Sequence, residues 1–165
     1  MPPRLPHLPS LPAGAVSTLD AVIFFLRHGD AEPGDGDDAA RELTEKGERQ
    51  AERAGQALAA LEVKLDACLS SPKLRAERTA RIACEQLGVE VEIAEELAGG
   101  SFDPLALASG RGDVLLVGHE PDFSEAVEAL TAARVRLRKG GLACVKDGVL
   151  EALLRPKDLR GLAGD

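Results

Sequence analysis

Two arginines and two histidines recur in this chain at matching places, each close behind an apolar run. Arg27-His28-Gly29 follows Ala21 to Leu26, and Arg75 lies six residues beyond Leu69, past Ser70-Ser71-Pro72-Lys73-Leu74. Gly118-His119-Glu120-Pro121 follows Val114 to Val117. Guanidinium groups grip phosphate oxygens in a planar fork. An unprotonated imidazole is a competent nucleophile near neutral pH. Arg27, His28, Arg75 and His119 brought to one spot would form a phosphate site.

Competing explanations exist for each residue taken singly. Either histidine alone fits a surface position or a hydrogen-bonded structural one. Arg27, directly after a wholly apolar run, needs an anion or a carboxylate, because an unpaired buried charge is costly. Asp30, Glu32 and Asp35 in the following loop could supply structural ion pairs. Two histidines with Asp or Glu could bind zinc, but neighbouring arginines would repel a cation, so no metal is expected, and nothing in the sequence implies an organic cofactor.

The elements that must position these residues can be read from apolar periodicity. Ala21 to Leu26 reads as a strand buried on both faces. The acidic, glycine-rich stretch after His28 reads as a solvated, flexible loop near the site. Thr44 caps a helix reaching about Leu61, with Leu43, Gly47, Ala51, Ala54, Leu58 and Leu61 in one stripe. A second strand spans Leu65 to Leu69. Ser71-Pro72 then predicts a helix start, hydroxyl at the cap and proline at the first helical position. That helix carries Ala76, Thr79, Ala83 and Leu87 on one face and stops at Gly88. Val89 to Ile93 reads as a weaker strand, and one helical turn follows Asp103-Pro104. After the strand Val114 to Val117 comes a helix with Phe123, Val127 and Leu130 inward. Asp147-Gly148 joins Leu142 to Val145 and Val149 to Leu154 as a hairpin.

This alternation predicts an α/β fold, with helices on both faces of a mostly parallel central sheet. In such a sheet the turns beyond the carboxyl ends of the strands share one edge, where ligands bind. Helix N-termini opening there add N–H groups that favour an anion.

Composition excludes several classes. The chain has 165 residues, suiting one domain over residues 20–165, after a proline-rich tail over residues 1–19 to which no role is given. Its 20 Lys and Arg against 28 Asp and Glu give a net charge of -8, without the basic footprint of nucleic-acid binding. Four Phe and no Trp or Tyr leave no base-stacking platform. No apolar run approaches the roughly 20 residues of a membrane helix. Cys68, Cys84 and Cys144 are scattered and read as buried reduced thiols, which predicts a cytoplasmic setting.

The ordered motifs resemble the histidine phosphatase superfamily, the phosphoglycerate mutase-like proteins. Arg27-His28-Gly29 resembles its signature triplet. Leu43-Thr44-Glu45-Lys46-Gly47-Glu48-Arg49-Gln50-Ala51 looks like its LTxxGxxQA, and Ser71 to Ala76 with Thr79 looks like its SPxxRAxxT. Gly118-His119 completes the set. Short length, Asp30-Ala31, Glu120-Pro121 and Lys139-Gly140-Gly141 resemble the SixA-type branch, which dephosphorylates histidine in phosphorelay or phosphotransferase-system proteins. The resemblance implies a three-layer α/β/α sandwich and no cofactor. It makes His28 a transiently phosphorylated nucleophile, with Arg27, Arg75 and His119 holding the phosphoryl oxygens and a phosphorylated protein as partner.

Larger relatives carry an acidic proton donor in an insert, which the stretch Glu95 to Gly112 does not match. Asp30, Asp103 and Glu120 are the candidates here. Glu120, next to His119, is where the acid-phosphatase branch keeps its donor. The rival functions are a general small-molecule phosphomonoesterase and a non-catalytic phosphate- or phosphoprotein-binding module.

Overall fold

A computed structural model describes residues 21–34 and 36–164; the proline-rich segment of residues 1–19 and Asp35 lie outside them. The strands are β1 (Val22–Arg27), β2 (Ala67–Ser70), β3 (Val91–Ile93), β4 (Val114–Gly118), β5 (Leu142–Lys146) and β6 (Val149–Leu154). The helices are α1 (Glu45–Ala60), α2 (Leu74–Glu85), α3 (Pro104–Ala108), α4 (Asp122–Thr131) and α5 (Pro156–Ala163). They build one six-stranded sheet in the order β3-β2-β4-β1-β5-β6. The first four strands run parallel, while β5 lies antiparallel to both β1 and β6. The hairpin forms as expected, with Asp147 (φ 51°) and Gly148 (φ 72°) both left-handed, as its two-residue turn demands.

Alternation along β1 builds the three layers. Phe24 and Leu26 face one cluster with Ala54, Leu58, Ala76, Ala80 and Leu159, from α1, α2 and α5. Ile23 and Phe25 face the other, with Ala108, Phe123, Ala126 and Val127 from α3 and α4. The Phe25 and Phe123 rings meet edge to face at 5.3 Å.

Several expectations need correction. α2 begins at Leu74 with Lys73 at its cap, so Ser71 and Pro72 precede the helix. Leu61, the last member of the α1 stripe, is 49% exposed because the helix has already ended at Ala60. Cys68 and Cys84 are buried, but Cys144 is only half-buried. α5 has no counterpart among the sequence expectations. Its buried residue is Leu159 alone, too little for a periodic signal.

Candidate active site

The carboxyl ends of three neighbouring strands bring the predicted residues together. Arg27 stands opposite Gly118 across β1 and β4, and Ser70 opposite Val117 across β2 and β4. The ladder continues past the strands through His28 N to Gly118 O at 3.0 Å and Ser71 N to Val117 O at 3.0 Å. His28 and His119 therefore lie side by side, their rings 5.2 Å apart and tilted by 56°. His28, Arg75 and His119 are each 6% exposed.

Hydrogen bonding defines the tautomer of His28. Its Nδ1 lies 2.7 Å from Gly29 O, and a carbonyl only accepts, so Nδ1 carries the proton. Nε2 keeps its lone pair, towards which Arg75 Nε donates at 3.3 Å. Burial lowers the imidazole pKa to about 4, and the Arg75 and Arg27 charges push the same way against the Gly29 carbonyl. The ring is neutral at physiological pH.

His119 is the complementary case. Ser71 Oγ accepts from Lys73 N at 3.2 Å and lies 2.8 Å from His119 Nε2, so its own proton is free to go to that nitrogen. With Ser71 as the donor in that bond, the proton of a neutral His119 sits on Nδ1. Burial, then the His28 and Arg75 charges, lowers this pKa to about 3. Among the described residues, His119 Nδ1 and Arg27 Nε are the buried side-chain polar atoms without a hydrogen-bond partner. Buried donors are rarely left unmade, and both lie in the residue set predicted to hold an anion. Arg27 is otherwise anchored by a bond from a terminal nitrogen to Leu137 O at 2.9 Å. Burial lowers its pKa, while the Glu120 charge raises it.

Glycines and hydroxyls hold the His28 loop down. A Cβ on Gly29 would lie 2.5 Å from Gly47 O, and one on Gly47 would lie 2.0 Å from Asp30 O. The loop thus rests on the first turn of α1, which only paired glycines permit. Thr44 caps that turn through Gly47 N at 3.0 Å, and Gln50 Oε1 accepts from Asp30 N at 2.8 Å. From α2, Thr79 Oγ1 accepts from Gly29 N at 3.1 Å and donates to Arg75 O at 2.7 Å. Gly140 N closes the far side on Arg27 O and His28 O.

Sequence reasoning missed two contributors. Ser71 reads in the sequence as a helix cap, yet its hydroxyl lies against His119 Nε2. The loop after His28 is not simply solvated: Asp38, in a 3-10 turn over Asp38–Ala40, accepts from Arg75 through its backbone O at 2.8 Å and its carboxylate at 3.2 Å. Lys73 and Arg41 reach the same carboxylate, each at 3.2 Å. Hydrogen bonds from Arg41 and Lys73, then from Arg75, hold Asp38 well below the usual carboxylate range. Nothing local distinguishes it from its neighbour Asp37.

The candidate acids are engaged elsewhere. Glu120 accepts from both Ser124 N (2.9 Å) and Ser124 Oγ (2.5 Å), so it satisfies an amide in the first turn of α4. Asp103 caps α3 through Leu105 N and Ala106 N. Asp30 binds the Thr44 hydroxyl at 2.9 Å and Lys139 at 3.3 Å.

Two imidazoles and the Arg75 guanidinium thus meet at the carboxyl ends of the parallel strands of an α/β/α sandwich. The chain belongs to the histidine phosphatase superfamily (branch 1), whose model matches residues 23–109. Within it the likeness is to the SixA proteins. The protein histidine phosphatase SixA, solved with tungstate, superposes with a TM-score of 0.73 at 25% identity, covering 84% of this chain and 99% of that one. An uncharacterized protein of Picosynechococcus sp. is 34% identical over 140 residues, 76% of this chain and 85% of that protein. The mitochondrial serine/threonine-protein phosphatase Pgam5 of Drosophila simulans is 41% identical over 71 residues, 42% of this chain but 24% of its own length. The protein is a phosphatase of this superfamily with a phosphoglycerate mutase-like fold.

Proposed function

We propose that the protein hydrolyses phosphohistidine on a protein substrate through a phosphorylated His28. The observation that carries this is an unprotonated His28 Nε2, met only by a long 3.3 Å bond from Arg75 Nε, in a residue set where the buried Arg27 Nε and His119 Nδ1 have no hydrogen-bond partner. In the first step Nε2 attacks phosphorus. The bond from phosphorus to the substrate imidazole breaks, and the departing nitrogen takes a proton from solvent. In the second step water attacks the phosphorus on His28, releasing phosphate and the neutral ring. Arg27, Arg75 and His119 hold the phosphoryl oxygens and offset their charge, the main assistance such transfers need.

The leaving group follows from the acid inventory. Imidazole is far less basic than an alkoxide and departs without a strong acid. Glu120, turned onto Ser124, is spare for this substrate and needed only for an ester. The name and bound tungstate of the SixA neighbour support the same substrate class.

Phosphate release from a phosphohistidine protein and from a phosphoserine peptide tests this reading, with His28→Ala and Glu120→Gln variants. Fast release from phosphohistidine, lost in His28→Ala and unchanged in Glu120→Gln, is expected. Equal rates on both substrates would make the protein a general phosphomonoesterase. Retained phosphate binding without release by the unsubstituted protein would make it a binding module.

A further inference from the structure

Six of the 20 Lys and Arg of this acidic chain line a single groove. An open groove of about 680 Å³ is lined by Arg27, Lys46, Arg138, Lys139, Arg155 and Lys157, with Asp30 as the acid in its wall. Asp30 is matched by Lys139 at 3.3 Å, and Arg155 is matched by Asp158 just outside at 2.9 Å. Lys46, Arg138 and Lys157 make no direct ion pair among the described residues, although Lys46 acts at longer range on Asp30 and Lys157 on Asp158. They come from separate parts of the chain: the first turn of α1, the segment before β5, and the first turn of α5. A run of lysines in sequence would be an ordinary solvated face. Convergence of three segments on one groove, in a protein of net charge -8, is a fold-level arrangement.

Arg27 is shared between this groove and the phosphate site. An anionic chain lying in the groove would therefore end with its phosphoryl group at the reactive histidine. The cations spread over more surface than one phosphate can engage, and they include no large apolar or aromatic anchor. These features suit a flexible acidic segment attracted by charge rather than a small molecule held in a closed pocket.

We propose that the groove docks an acidic polypeptide segment flanking the phosphohistidine of the substrate protein. This rests on the function proposed above and names the partner's chemistry. Docking by exposed charges acts on encounter and KM, is screened by salt, and leaves the chemical step untouched.

Two phosphohistidine peptides differing only in their flanks, one glutamate-rich and one lysine-rich, provide the test, with phosphoimidazole as the small substrate. At low salt the glutamate-rich peptide is expected to be favoured by about tenfold in kcat/KM, through KM. The preference should fade at about 1 M salt, where the screening length is about 3 Å. The triple variant Lys46→Glu, Arg138→Glu, Lys157→Glu should reverse it while leaving phosphoimidazole turnover unchanged. Equal use of both peptides by the unsubstituted protein would overturn the proposal, as would an unaltered preference or lost phosphoimidazole turnover in the variant. Fluorescence anisotropy of the same peptides without phosphate keeps the two readings apart. Selective binding of the acidic one by a protein that hydrolyses none of the substrates would leave the docking surface standing and remove the proposed reaction, and binding without selectivity would remove the docking surface.

Discussion

Replacing Ser71 by alanine removes one oxygen from a fully buried position and leaves the peptide backbone of the site in place. That oxygen is the partner of His119 Nε2 at 2.8 Å and of Lys73 N at 3.2 Å. With Nδ1 already unpartnered, the His119 ring would lose its only side-chain hydrogen bond among the described residues. A buried group left unmade costs about 1–3 kcal/mol, which sets the expected loss of stability. The catalytic effect comes through the tautomer. Without the Ser71 proton on Nε2, nothing favours the Nδ1–H form, and the phosphoryl group loses one oriented donor for part of the population. A missing donor of this kind costs up to about 100–1000-fold, so partial loss should lower kcat/KM by about 10–100-fold. The assay is a double-mutant cycle with His119→Ala, reading kcat/KM on a phosphohistidine protein and the urea midpoint of each variant. If Ser71 acts through His119, its replacement should cost little further activity once His119 is gone. An equal fold-loss in both backgrounds would refute the reasoning.

Two other consequences are equally specific. Gly47→Ala drives a methyl to 2.0 Å from Asp30 O and should cost about 1–3 kcal/mol or more while lowering kcat, whereas Gly161→Ala, open on all sides within α5, should be neutral or slightly stabilising. Chemical denaturation and turnover of the pair check this, and a Gly47→Ala protein with unaltered stability and kcat would contradict it. Burial holds His28 at about 4 and His119 at about 3, against an ordinary 6.5. Protons that the unfolded chain accepts below pH 6.5 are thus refused by the folded one, so this contribution is intact above 6.5 and is lost as pH falls through about 4. Ring titration by NMR in the ligand-free protein, with the unfolding midpoint from pH 7 to 4, should show this. A titration near 6.5 for either ring would contradict it.

The strands and the Thr44 helix start were legible because short apolar runs and a side-chain cap are local signals. The convergence of Arg27, His28, Arg75 and His119 followed from topology, since ends of parallel strands share an edge. What escaped had long-range or backbone causes. Ser71 beside Pro72 carries a strong local cap signal, but its hydroxyl is used 48 residues away by His119. Asp38 acquires its place from Arg75, 37 residues on. The acceptor that sets the His28 tautomer is the carbonyl of Gly29, and a carbonyl leaves no mark on a sequence. α5 escaped because a short helix with Gly161 inside and one buried leucine has no period to detect.

Rapid acid-free quenching of a reaction with labelled phosphohistidine protein, followed by mapping of the label, tests most directly whether His28 carries the phosphoryl group. The label should appear on Nε2 of His28, since Nδ1 is committed to Gly29, in an acid-labile, alkali-stable linkage formed before phosphate is released. It should be absent from His28→Ala, which should also be inactive. Phosphate release at full rate from His28→Ala, or label trapped on any other residue, would contradict the account.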